Sequence, residues 1–240
     1  MPNILDDDFT PSPPTPERVA KRALALAAVS CRGLIESDAA KSGAEDMRSQ
    51  ILPWLESVGA ANELEPKEAD LLSIPLGQLD PKTAIDASWS SEGMAALAWA
   101  LGYCVLPPFH VEIDPADVAT SMGFLDDREN TPVHNPKIRD EKEIDKRRNS
   151  YLTVHWRLRQ QSLEPGPANL VDYVQNCKWA ELELDGLEII DHDLAINGVR
   201  IDRVAYSQFR EVLSITQERH QALNWLLGFE ELYSQVTTDT

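Results

Sequence analysis

The chain has 240 residues, 42% of them hydrophobic, and carries 40 acidic against 22 basic side chains for a net charge of −18. That length and apolar content suffice for a buried core and exclude wholesale disorder. The negative charge argues against nucleic acid or an anionic membrane as partner, because both are bound through basic faces.

The chain opens with five prolines in residues 1–16 and the run Asp6-Asp7-Asp8, which predicts an extended proline-rich arm over 1–15. No apolar stretch of signal-peptide length is found there. The three cysteines, Cys31, Cys104 and Cys177, form no CxxC pair and read as reduced thiols packed in apolar stretches. Cytoplasm is the expected compartment.

A helix is predicted from Thr15-Pro16-Glu17, with Thr15 as N-cap and Pro16 in the first turn, running to about residue 36. A second spans Ala44 to Val58, bent or broken near Pro53. Residues 59–88 are punctuated by Pro66, Pro75, Gly77 and Pro81 and yield no clear element. The most apolar stretch, Glu92 to Tyr103, predicts a central helix with serines before it as caps, ended by Gly102 and Pro107-Pro108. Its uncharged core, Gly93 to Val105, is too short to span a bilayer.

Asp114-Pro115 predicts a short helix, Arg139 to Ser162 a long one and Ala168 to Cys177 another short one. Asn197-Gly198 between Leu194-Ala195-Ile196 and Val199-Arg200-Ile201 is the strongest short-range hairpin signal, placing a hairpin in 187–203. A last helix is expected from Tyr206 to Tyr233, broken near Ser214. The fold class is therefore mainly α, an irregular helical globule with one small β-hairpin. Trp89, Trp99, Trp156 and Trp225 are expected to anchor its core, with Trp54 and Trp179 nearer the surface.

Charge is unevenly placed. Residues 61–130 carry 13 acids and 3 bases, and residues 179–240 carry 12 and 4, while residues 131–178 carry 9 bases and 6 acids. Lys142, Lys146, Arg147 and Arg148 interleave with Asp140, Glu141, Glu143 and Asp145 at helical spacing, so self-pairing along one helix is expected.

Motif chemistry is sparse. The five histidines, His110, His134, His155, His192 and His220, form no HExxH or deaminase pattern, and Asp191-His192-Asp193 reads as a polar turn rather than a metal site. No glycine-rich phosphate loop or GxSxG occurs, so neither metal nor cofactor is expected. What stands out is polar side chains on apolar helix faces. His155 shares a stripe with Tyr151, Val154 and Leu158; His220 shares one with Phe209, Leu213, Leu223 and Leu227; Arg219 lies with Val212, Ile215, Ala222 and Leu226; and Glu92 opens the most buried helix. Buried charge is costly unless paired, so these four are the candidate site residues, either as a structural network or as an acid–base set.

Several blocks of sequence resemble domain-of-unknown-function family 4272, found mainly in bacteria. They are Pro16-Glu17-Arg18-Val19-Ala20-Lys21-Arg22-Ala23 running on to Arg32 and Glu36, and Trp89-Ser90-Ser91-Glu92-Gly93 through Leu97-Ala98-Trp99-Ala100-Leu101-Gly102 to Leu106-Pro107. The others are His155-Trp156-Arg157 and Glu218-Arg219-His220-Gln221-Ala222-Leu223-Asn224-Trp225-Leu226, ending in Asp239-Thr240. Their spread favours a single α-rich domain over 16–240, and the resemblance implies an α-rich cytoplasmic protein without assigning a reaction, substrate or cofactor.

Two functions compete on this basis, with a structural subunit stable only in an assembly as a third, weaker idea that a large exposed apolar patch would favour. The leading expectation is a non-enzymatic acidic protein-binding module, of inhibitor or immunity type, that covers a basic partner. The alternative is an enzyme or small-ligand binder using Glu92, His155, Arg219 and His220, which requires those side chains to converge on a pocket that reaches solvent.

Overall fold

A computed structural model describes residues 12–37, 39–40, 42–126 and 128–239. Most of the expected proline arm, residues 1–11, lies outside the described residues. Its end, residues 12–15, crosses the far end of the chain: Ser12 N–H donates to the Gly228 carbonyl at 3.3 Å. A Cβ at Gly228 would stand 2.4 Å from Ser12 carbonyl carbon, so the crossing requires glycine there.

The fold is mainly α. Helices α1 (Pro16–Ser37), α2 (Ala44–Ser57), α3 (Pro66–Ser73), α4 (Pro81–Ala100), α5 (Pro115–Ser121), α6 (Glu141–Leu163), α7 (Leu170–Asn176) and α8 (Tyr206–Leu226) are joined by short 3-10 turns and one small sheet. Local chemistry sets many of the starts. Thr15 Oγ1 accepts the Arg18 N–H before α1. The carboxylates of Asp80, Asp114 and Asp140 accept first-turn N–H groups of α4, α5 and α6, and Pro81 and Pro115 follow two of those caps.

Helix α4 is longer than expected. Asp80, not a serine, caps it, and Ser88, Ser90 and Ser91 lie inside it. The mixed stretch before it also holds the 3-10 turn Ala61–Glu63 and α3, which opens with a Glu65–Glu68 capping box around Pro66. Helix α2 runs unbroken through Pro53, and α8 runs unbroken through Ser214 to Leu226. The chain then turns at Gly228 into the 3-10 turn Tyr233–Gln235.

Four long helices form a packed row, α1 on α4, α4 on α8 and α8 on α6. Small residues bring the first two together: at Gly33, a Cβ would sit 2.6 Å from both Ala84 carbonyl oxygen and Ser88 nitrogen. One continuous hydrophobic cluster runs from Val19 through Leu97 and Val154 to Trp225 and Tyr233. Fully burying a side chain such as Leu97 contributes about 2 kcal/mol. Trp54, expected near the surface, is buried, packed edge-on to Phe124 at 5.2 Å, whereas Trp179 is exposed as expected. The Trp54 position follows from α2 folding back toward the turn after α5, which the sequence alone does not reveal.

The hairpin gains a third strand. β1 (Ile189–Ile190), β2 (Asp193–Ile196) and β3 (Val199–Arg200) form an antiparallel sheet in that order, with Ile189 opposite Leu194 and Ile196 opposite Val199. Asn197-Gly198 makes the predicted turn with both residues at positive φ. Asp191-His192 makes the other in the same left-handed conformation, at φ 48° and 67°. Every residue of β2 is buried.

Candidate functional site

Glu92 on α4 and Arg219 on α8 form a buried ion pair. Arg219 Nε donates to Glu92 Oε2 at 2.7 Å, and Arg219 Nη2 lies 2.6 Å from the same oxygen. The other Glu92 oxygen accepts the Ile113 N–H at 3.1 Å, while Arg219 also donates to Tyr151 hydroxyl at 3.0 Å and the Val111 carbonyl at 2.8 Å. Burial pushes the Glu92 carboxyl above its usual range, and Arg219 and the Ile113 N–H oppose that push. The polar string from His110 to Asp114 is thus a loop fastened to the core by this pair.

His155 on α6 and His220 on α8 meet separately, Nδ1 to Nδ1 at 3.1 Å, with the rings edge to face. Burial lowers their pKa values to about 4 and about 3, so both rings are neutral near pH 7. One ring donates and the other accepts, and His220 Nε2 has no partner among the described residues. Arg219 and His220 are adjacent in sequence yet serve different clusters.

The four candidates therefore form two buried pairs. A cleft of about 210 Å³ shares Tyr151 with the Arg219 cluster and is walled by Pro107, Phe109, Arg147 and Leu187. None of the four candidates is among its walls. Chemically, the pairs as placed hold helices and a loop in register.

Three further arginines, which spacing did not single out, repeat this arrangement. Arg22 donates to Glu68 at 2.9 Å and to the Glu63 carbonyl at 3.0 Å. Arg32 donates to Glu36 at 2.6 Å and to the carbonyls of Ile74 and Pro75. Arg157 holds Asp193 through two 2.7 Å bonds and the Gly166 carbonyl through a third. Each of the four arginines is at most 1% exposed, and each joins a carboxylate to backbone of an irregular connection. Asp193, read as part of a polar turn, is instead buried, accepting N–H bonds from Ala168 and Leu194 as well. Among the described residues no group of three or more His, Cys, Asp or Glu is arranged to hold a metal ion.

The surface between α4 and α8 is different. Glu218 on α8 lies near exposed Asp86 on α4, and Glu211, two turns earlier on α8, lies near Glu112 in the fastened loop. Burial pushes the partly buried Glu218 up to about 7, and Asp86 and Glu92 push it further in the same direction. Burial and then Glu211 raise Glu112 likewise. Among the described residues Glu218 has no ion pair or hydrogen bond. Tyr233 is buried and its hydroxyl is without a partner among the described residues, and burial followed by the charge of Glu218 raises its pKa. Sequence reasoning missed this group, because it joins residues on α4, α8 and the last turn.

The basic cluster of α6 does not pair with its interleaved acids as expected: among the described residues its one ion pair runs across the fold, from Lys146 to Asp185. Lys146 bonds Asp185 at 2.7 Å, Arg148 donates to Asn224, and Arg147 lies 5.3 Å over the Trp99 ring. Arg139, just before the helix, pairs with Glu143 at helical spacing. The Cys31 and Cys104 thiols are each raised to about 11 by burial, which makes them poor nucleophiles. No described helix is long and apolar enough to cross a membrane.

The chain belongs to the family described as domain of unknown function (DUF4272), whose sequence model matches residues 2–178. The Arg22, Arg32–Glu36, Glu92 and Arg157 blocks fall inside that stretch, and the block at 218–226 falls beyond it although α8 packs into the same core. No curated protein and no solved structure matches the chain significantly.

Proposed function

We propose that this chain is a non-enzymatic acidic binding protein that covers a basic protein partner in the cytoplasm, in the manner of an inhibitor or immunity protein. One observation carries the reading. Four arginines are turned inward onto carboxylates, and several surface cations are engaged by the chain's own acids, while the α4–α8 face keeps carboxylates that repel one another. Like charges held together oppose folding, and a cationic surface laid over them relieves that repulsion.

The buried pairs support the same reading from the other side. Glu92, His155, Arg219 and His220 fasten the scaffold on which that face is carried, with hydrogen-bond partners inside the protein. A rigid scaffold under a charged face suits recognition by complementary charge, which acts chiefly on association rate and specificity.

The test is a tagged pull-down from the source cell at low salt, followed by titration of the purified partner at rising ionic strength. The reading expects a basic partner whose affinity falls steeply with salt. A partner that is acidic or neutral, or one whose affinity ignores salt, overturns it.

A further inference from the structure

We infer that the cleft beside Tyr151 binds a small carboxylic acid with a flat apolar body, its carboxylate held by Arg147 and its body lodged among Pro107, Phe109 and Leu187. This goes beyond the partner-binding reading and does not depend on it.

Three segments build the cleft. One face of α6 supplies Arg147, Ser150, Tyr151 and Val154, at helical spacings of three and four. The segment leading into the fastened loop supplies Pro107 and Phe109, and the turn before β1 supplies Asp185 and Leu187. Phe109 and Val154 are buried, whereas Arg147 is half-buried and Asp185 exposed, so an apolar interior meets a polar mouth. Its volume of about 210 Å³ accommodates one ring with a short acidic arm, since an apolar cavity of about 150 Å³ takes up benzene.

Open donors in the walls indicate what kind of ligand fits. Among the described residues Arg147 makes no ion pair and no hydrogen bond. Its guanidinium lies 5.3 Å over the Trp99 ring, which holds the group in place without occupying its N–H donors. Arg139 lies over the same ring at 5.0 Å, but it is bonded to Glu143 and to the Trp99 carbonyl. Tyr151 is a second open donor. Its hydroxyl accepts from Arg219 at 3.0 Å, and its own proton has no acceptor among the described residues. Ser150, by contrast, donates to the carbonyls of Lys146 and Asp185.

A carboxylate matches this arrangement. Its two oxygens fit the guanidinium fork side by side, and its single charge answers a single cation. Asp185 is bonded to Lys146 at 2.7 Å, which offsets its charge, yet a dianion such as phosphate would still meet it with only Arg147 in support. A cationic ligand would face Arg147 itself.

The test is an NMR titration of the full chain with phenylacetate, its neutral amide phenylacetamide and the cation phenethylammonium. Concentrations up to about 10 mM suit ligands of roughly ten non-hydrogen atoms. The variants are Arg147→Gln, Leu187→Trp, which fills the cleft, and the remote control Arg210→Gln. Wild type is expected to prefer phenylacetate over the amide by about tenfold. Arg147→Gln should erase that preference and leave amide binding nearly unchanged, a result that general distortion of the fold would not give. Leu187→Trp should weaken both ligands, and Arg210→Gln neither. A preference that survives Arg147→Gln overturns the role of Arg147. Undiminished binding in Leu187→Trp places the ligand elsewhere and overturns the cleft. If wild type binds none of the probes, or prefers the amide or the cation, the proposal fails, while capture of a basic partner is untouched by that failure.

Discussion

Arg219 and Glu92, 127 residues apart in sequence, meet at a single carboxylate oxygen, with Arg219 Nε and Nη2 standing 2.7 and 2.6 Å from Glu92 Oε2. Around that contact the remaining donors and acceptors are engaged by Tyr151, Val111 and Ile113, so one buried pair fixes two helices and a loop. A fully partnered pair of this kind confers register more than net stability, and its worth shows when one member is removed.

Glu92→Gln or Arg219→Gln should therefore cost about 3–5 kcal/mol in urea unfolding, because each strands a buried charge or its donors. Proteolysis within residues 107–113 should accelerate in both variants. A loss below about 1 kcal/mol would show that the pair carries no such constraint.

The His155–His220 pair predicts acid sensitivity. Both rings titrate near 6.5 when unfolded, but burial holds them neutral in the fold down to about 4 and about 3. As pH falls below 6.5 the unfolded chain takes up protons that the folded chain refuses, so stability declines by up to about 1.4 kcal/mol per pH unit for each ring. His220→Gln should lower the slope of urea midpoint against pH between 6.5 and 4 relative to wild type. Equal slopes would mean that the pair does not govern this region.

Glu218 slopes the other way. Its folded pKa of about 7 exceeds the reference 4.5, so the proton it keeps stabilises the fold at low pH and that contribution is lost as pH rises through 7. Glu218→Gln should stabilise the protein by roughly 1–3 kcal/mol at pH 8 and by little at pH 4. A side chain that lowers stability where it stands fits a binding role better than a scaffold role. An equal effect at both pH values would refute the assignment of this titration to Glu218.

Gly33→Ala should destabilise the protein by about 2 kcal/mol or more despite the better helix propensity of alanine. The added Cβ would meet Ala84 oxygen and Ser88 nitrogen at 2.6 Å, and backbone atoms of α4 cannot turn aside as a side chain can. Thermal unfolding checks this, and an unchanged or raised Tm would show that α1 and α4 can separate at no cost.

Much was determined locally, by forces acting within a few residues. Thr15-Pro16, Asp114-Pro115 and Asp140 start helices because a side-chain oxygen caps first-turn N–H groups wherever those residues precede a helical pattern. Asn197-Gly198 turned the hairpin because those residues accept positive φ. The apolar stripes placed His155, Arg219 and His220 inside, and burial of a polar group forecast that partners would be found. Which partners was decided only by tertiary packing. Glu92 met Arg219, Asp193 met Arg157 and Glu68 met Arg22 across connections whose course no periodicity encodes. Adjacent residues 219 and 220 parted into different clusters because neighbouring positions on a helix point about 100° apart, toward different helices of the row. The charge crowding at Glu218 was invisible for the same reason: repulsion depends on distance in space, and Asp86 and Glu218 lie on helices far apart in the chain.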